Sequence, residues 1–223
     1  MAEPFQFRAA KAHNIARRKL VHGIGINDAW YCISYKNSEG VQTKCPYYTK
    51  WRSMLRRCYD PTFLSRTPTY AGCSITKEWH LFSTFRKWME KQDWVGKELD
   101  KDILVKGNKI YSPTTCVFIS GEINKLLLDS ESIRGAYPQG VNFYARVGKY
   151  RAYCKVEGTS VHLGYFFNIY QAEEAYCIFK ANHITSVANR PEASSQPQLQ
   201  EALLREAKAF SDRAELLSAK IED

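Results

Sequence analysis

Residues 140–183 constrain the fold of this chain most tightly. Residues 150–156 alternate: Arg151, Tyr153 and Lys155 fall on one face, Ala152, Cys154 and Val156 on the other. A period of two is that of a half-buried strand. Gly140-Val141 opens a short strand before it, and Val147-Gly148-Lys149 makes the intervening turn. Glu157-Gly158-Thr159 is the next turn, and residues 161–166 form a third strand with His162 facing away from Leu163. Ala172, Ala175, Tyr176 and Phe179 then recur at three and four residues, the apolar stripe of a helix. This order predicts three antiparallel strands with one helix over their apolar face. The opposite face is left open and carries Arg146, Lys149, Arg151, Tyr153, Lys155 and His162. An exposed sheet face of basic and aromatic side chains has the chemistry to enter a DNA major groove and read base edges.

The charge of the whole chain points the same way. Its formal net charge is +9, which favours a polyanionic partner. The excess is front-loaded: residues 1–60 hold eleven Lys/Arg against four acids, whereas residues 190–223 hold five against seven. A hydrophobic content of 44% with 13% aromatics excludes a disordered chain. Seven cysteines stand singly, none as Cys-x-x-Cys, and several fall at inward positions. That reads as reduced thiols in an intracellular protein, the cytoplasm of a bacterial host, without disulfides. Cys58, Cys73 and His80 do not have the spacing of a known zinc site. No apolar run approaches the ~20 residues of a membrane span, and the first residues lack the apolar core of a secretory signal.

Upstream, residues 1–21 form a basic arm with Arg17 and Arg18, of the kind that follows a DNA backbone. Residues 30–35 are a strand candidate. A helix over about 48–59 carries Trp51, Leu55, Cys58 and Tyr59 inward, with Arg52, Arg56 and Arg57 off that stripe as candidate phosphate contacts. Residues 62–72 are loop by composition. A second helix is predicted over about 77–91, capped by Thr76, with Trp79, Phe82, Phe85, Trp88 and Met89 as core. Two strands at 98–103 and 115–120, joined through a turn at 106–109 and followed by a helix over 121–128, give the order of a one-metal ββα nuclease site.

Gly140-Val141, Gly148-Lys149-Tyr150, Ala152, Leu163-Gly164-Tyr165-Phe166 and Glu173-Glu174-Ala175 resemble the ethylene-response-factor type of DNA-binding domain, also found in phage homing endonucleases. Asn142 stands where that family usually has arginine, so base preference does not carry over. The resemblance widens upstream. Residues 51–59 (WRSMLRRCY), Tyr70-Ala71-Gly72-Cys73, Trp79, Phe82, Leu99-Asp100-Lys101-Asp102 and Tyr111-Ser112-Pro113 look like phage proteins of the HNH homing-endonuclease type. That likeness implies a nuclease ancestry. Yet no histidine lies between residues 98 and 120 to activate water. Asp100, Asp102 and Asn124 are the remaining candidates, as ligands of a Mg²⁺ ion in a nuclease reading.

Residues 130–139 and 189–197 read as linkers. In the tail, Leu203, Ala207, Phe210, Ala214, Leu217 and Ile221 alternate spacings of four and three, a heptad seam that predicts a homodimer through residues 198–222. The expected architecture is α+β in four parts: a basic arm at 1–21, a degenerate HNH-like region at 22–134, a three-stranded DNA-binding module at 135–189, and a linker with a dimerisation or docking helix at 190–223. The expected function is sequence-specific binding of double-stranded DNA without cleavage or cofactor, repressing transcription by covering a promoter. The alternatives are an active Mg²⁺-dependent endonuclease and an inhibitor whose basic face meets an acidic protein.

Overall fold

The computed structural model describes residues 5–128 and 135–222. The fold is α+β, in two compact units, Met1–Ile119 and Ser120–Asp223. In the first, α1 (Ala12–Ala16) precedes a hairpin of β1 (Ser34–Lys36) and β2 (Gln42–Lys44). Then come α2 (Pro46–Tyr59), α3 (Pro61–Arg66), β3 (Ser74–Ile75), α4 (Phe82–Met89), β4 (Glu98–Asp100), β5 (Ile110–Tyr111) and β6 (Val117–Ile119). β3 pairs with β5 in parallel, and β4 with β6 antiparallel. Trp51, Met54, Leu55 and Cys58 of α2 meet Phe82, Phe85 and Met89 of α4 and Trp79 in one aromatic-rich core. The Trp51 indole N–H donates to the Trp79 carbonyl at 2.7 Å, which satisfies a polar atom that burial would otherwise orphan.

Local chemistry explains where this unit departs from its sequence pattern. Residues 77–91 are not one helix. A 3₁₀ turn at Lys77–His80 stops at Leu81, which is extended because its neighbours bond across to Ile26: Ile26 N–H to the His80 carbonyl at 2.8 Å, Phe82 N–H to the Ile26 carbonyl at 3.0 Å. Thr76 makes no side-chain cap. Residues 62–72 are not a loop, since Asp60 caps α3 by accepting from Phe63 N–H at 2.8 Å and a 3₁₀ turn follows at Pro68–Tyr70. The strand expected at 30–35 reduces to a bridge at Tyr31 and the short β1.

The basic arm is also folded into the unit, over its described residues. Cys32 N–H donates to the Arg8 carbonyl and Ala10 N–H to the Trp30 carbonyl, at 2.9 and 3.0 Å. The Arg18 guanidinium donates to the carbonyls of Asn27, Ala29 and Tyr31, so it clamps the following segment and is not free to follow a phosphate backbone. Arg17 remains exposed. Arg18→Ala is expected to destabilise the protein by on the order of 2–4 kcal/mol through lost charge-assisted bonds, while Arg17→Ala is near neutral. Urea denaturation of both variants measures the difference.

In the second unit, α5 (Gly121–Leu126) begins at Ser120, whose hydroxyl accepts from Ile123 N–H. An antiparallel sheet follows in the order β7 (Val141–Tyr144), β8 (Lys149–Val156), β9 (Thr159–Phe166). Then come α6 (Ile169–Ala188), α7 (Pro191–Ser194) and α8 (Pro197–Glu222). Asn168 caps α6 by accepting from Tyr170 N–H at 2.8 Å. The strand–strand–strand–helix order of residues 140–183 is present. Ala152 and Cys154 of β8 pack under Ala172 and Tyr176 of α6, as their alternation requires. Gly140 has φ +72°, and a Cβ there would strike the Tyr176 ring and come within 2.6 Å of the Tyr153 carbonyl, so only glycine fits where β7 passes under α6.

The tail overturns two expectations. Residues 189–197 are not a free linker. They form α7, with Ala193 fully buried, and Arg190 pairs with Glu122 at 2.7 Å. The heptad seam is spent within the chain: Leu203, Ala207, Ala214 and Leu217 are buried, α8 lies on α6, and Phe210 meets Tyr176 edge-on at 6.2 Å between ring centres. The expected homodimer through 198–222 therefore loses its surface to docking in cis, because α6 carries a second apolar stripe (Ile184, Val187, Ala188) that a lone sheet would leave wet. Part of the linker expected at 130–139 lies outside the described residues. Leu217→Ala is expected to cost about 2–5 kcal/mol of stability without changing oligomeric state. Urea unfolding midpoints independent of protein concentration would accord with this, and a midpoint rising with concentration would restore the dimer.

Candidate nucleic-acid interface

The exposed face of the sheet is assembled from three strands. Register places Asn142 opposite Arg151, Tyr144 opposite Lys149, Arg151 opposite Tyr165, Tyr153 opposite His162 and Lys155 opposite Ser160. Arg151 is at the centre. Its Nε donates to Asn142 Oδ1 at 3.1 Å, and its guanidinium lies 5.5 Å from the Tyr144 ring centre and 5.3 Å from that of Tyr153. Tyr144 stacks on Tyr165 at 5.7 Å, and His162 approaches Tyr165 at 4.6 Å. Fixing Nε to Asn142 leaves the two terminal nitrogens as a paired donor edge, held by aromatic rings on a rigid strand.

β9 is not regular. Ala152 pairs with Gly164 but Tyr153 with His162, so Leu163 is an extra residue, a β-bulge. Leu163 turns inward and packs beneath the sheet. Past it, Tyr165 joins His162 on the exposed face, where strict alternation would have buried it. Tyr165 is thus a candidate on this face that the alternation pattern of the sequence missed, and Tyr144 joins it from β7, on the same face as Asn142. Gly164 beside bulky neighbours was the available sign, since an isolated glycine inside a strand often marks a bulge.

The other expected contacts divide. Lys155 and His162 are exposed on the face; Tyr153 and Arg151 are half-buried there. Arg146 is exposed but sits in the turn between β7 and β8, not on a strand. Lys149 is half-buried, its ammonium 4.1 Å from the centre of the Phe167 ring. In the first unit, Arg52 and Arg56 are exposed on α2. Arg57 is turned inward, donating to the Leu99 carbonyl at 3.3 Å with its guanidinium 5.7 Å from the Tyr70 ring centre, so it holds β4 in place and is corrected from phosphate contact to structural clamp.

Asp100 and Asp102 of the nuclease trio are both engaged within the first unit. Asp100 Oδ1 accepts from the N–H groups of Asp102 and Ile103 at 2.9 and 2.8 Å, closing the turn after β4. Asp102 is exposed and pairs with Lys101 at 3.2 Å. Asn124 lies on α5, in the second unit. Among the described residues no group of three or more His, Cys, Asp or Glu side chains is placed to hold a metal ion. His22 pairs with Asp60 through Nδ1 at 3.3 Å, beside Arg52 and Arg56. Its Nε2 is buried, with no hydrogen-bond partner among the described residues. Burial, opposed by Asp60, holds the His22 pKa below 6.5, so the ring is neutral at pH 7.

No family model, curated protein or solved structure matches the chain. Among the described residues no helix is long and apolar enough to cross a membrane.

Burial, and then the charge of Asp102, raises the Asp100 pKa above its ordinary 3.8. A raised carboxylate pKa means the folded state binds the proton more tightly. The stabilisation from that proton is full below 3.8 and is lost as pH rises through the folded-state pKa. Asp100→Asn removes the charge and keeps an oxygen for both N–H donors. Its stability at pH 7 is expected to equal or exceed wild type, with the margin shrinking as pH falls toward 4. Denaturation across that pH range measures it, and a large loss at pH 7 would show that the carboxylate charge is needed.

Proposed function

We propose that the chain is a double-stranded DNA-binding protein that reads sequence through the exposed β7–β9 face without cutting, and that it represses transcription by occupying a promoter. The observation that carries this reading is Arg151, with Nε held by Asn142 and its terminal nitrogens set between Tyr144 and Tyr153. A guanidinium edge of this kind pairs with two acceptors in one plane, as base edges in the major groove present. Lys155 and His162 flank it on the strands, and Arg146 extends the charge from the turn to phosphates. Arg17, Arg52 and Arg56 on the first unit are further candidate phosphate contacts. With the tail seam occupied, the reading is of a protein that binds as a monomer, on a site without a required palindrome.

Non-cleavage rests on the state of the carboxylates. Asp100 has one oxygen committed to the turn, and Asp102 is held by Lys101.

Selection of bound duplexes from a random pool tests the reading, followed by binding to the enriched sequence at several salt concentrations. Affinity is expected to fall steeply with log salt. Arg151→Ala is expected to weaken the enriched site by about 1–3 kcal/mol and to relax preference at one base position. Lys155→Ala and Arg146→Ala should weaken all duplexes alike and reduce the salt slope by about one each. An unenriched pool with a flat salt response removes DNA reading. Mg²⁺-dependent cutting of the enriched duplex, lost in Asp100→Asn, removes non-cleavage.

A further inference from the structure

A cleft of about 930 Å³ lies in the second unit, bordered by α5, the approach to β7, the far end of β8, and α6. At its floor is Lys180, which is only 6% exposed. The ammonium donates to the Leu126 carbonyl at 2.6 Å. A protonated lysine has three donors, and this one spends a single donor on protein. Among the described residues no carboxylate pairs with it; the titratable groups beside it are Cys154 and His183. The two carboxylates that line the cleft are engaged elsewhere: Glu122 and Glu157 meet Arg190 at 2.7 and 3.5 Å. Lys125 and Lys155 add positive charge at the walls, and His183 stands one helical turn beyond Lys180. Leu126, Leu128, Tyr153 and Tyr176 supply apolar surface.

Two N–H donors of this ammonium, sunk in a cleft, have neither a hydrogen-bond acceptor nor a counter-charge among the described residues. Water supplies the first and not the second. An oxyanion supplies both. We propose that this cleft is a binding site for a small organic oxyanion, a carboxylate or a phosphate monoester, whose charged head meets Lys180 and whose apolar body lies against Leu126, Leu128 and Tyr153. Tyr153 and Lys155 border both this cleft and the exposed sheet face, but the site rests on Lys180 and not on DNA reading. Burial lowers the Lys180 pKa below 10.5, and a bound anion offsets that shift.

Thermal unfolding of the full chain with 4-bromobenzoate and with 4-bromophenyl phosphate, against sodium chloride at matched ionic strength, tests the site. At least one probe is expected to raise the wild-type Tm by several degrees at millimolar concentration. Which of them does so assigns carboxylate or phosphate. Lys180→Met keeps the volume and removes the charge, and it is expected to fold with an unaltered or higher Tm and to lose the response. No response of wild type to either probe, or an equal response of K180M, overturns the site. If K180M does not fold, crystals of the wild-type chain soaked with either probe decide it. Anomalous bromine signal in the cleft with the acid group on Lys180 supports the proposal; bromine found elsewhere, or nowhere, overturns it.

Discussion

Helix α6 is apolar on two sides, and the second unit follows from that. Ala172 and Tyr176 meet the strands, while Ile184, Val187 and Ala188 form a further buried stripe. One sheet cannot cover a helix all round. The chain answers with α8, which returns along α6 and buries Leu199, Leu203 and Leu217. Full burial of a leucine is worth about 1.5–3 kcal/mol, and these three help hold α8 against α6. With both sides of α6 occupied, the β7–β9 face opposite the helix is left with its basic and aromatic side chains in solvent.

The first unit solves its packing problem with indoles and phenyl rings, and spends charges on its own backbone. Arg18 clamps three carbonyls, Arg57 one, and Asp100 two amides. Each is a charged residue that a scan for function picks out first. Each is held by backbone groups that burial would leave unsatisfied, because the short strands of this unit close few ladder bonds of their own.

The sheet and α6 were legible because period two and period 3.6 are local properties, and both survive in Tyr150 to Val156 and in Ala172 to Phe179. The break at Leu81 was not, because its cause is Ile26, more than fifty residues away. The fate of the tail was not legible either. A seam of Leu203, Phe210 and Leu217 specifies an apolar partner without naming it, and only the second stripe on α6 decides between a neighbour and the same chain. Arg17 and Arg18 look alike in sequence, yet one is exposed and the other enclosed by carbonyls, a difference set by where the chain after residue 26 runs.

The extra residue in β9 decides which rings face solvent. Without Leu163 in excess, strict pleating would send Tyr165 beneath the sheet while His162 stayed above, and the imidazole–phenol pair and the tyrosine stack could not coexist. The composition of the outer surface therefore depends on how many residues the strand holds as well as on which they are. A one-residue deletion there would swap a tyrosine between solvent and core and rewrite the surface without altering any of the side chains that remain.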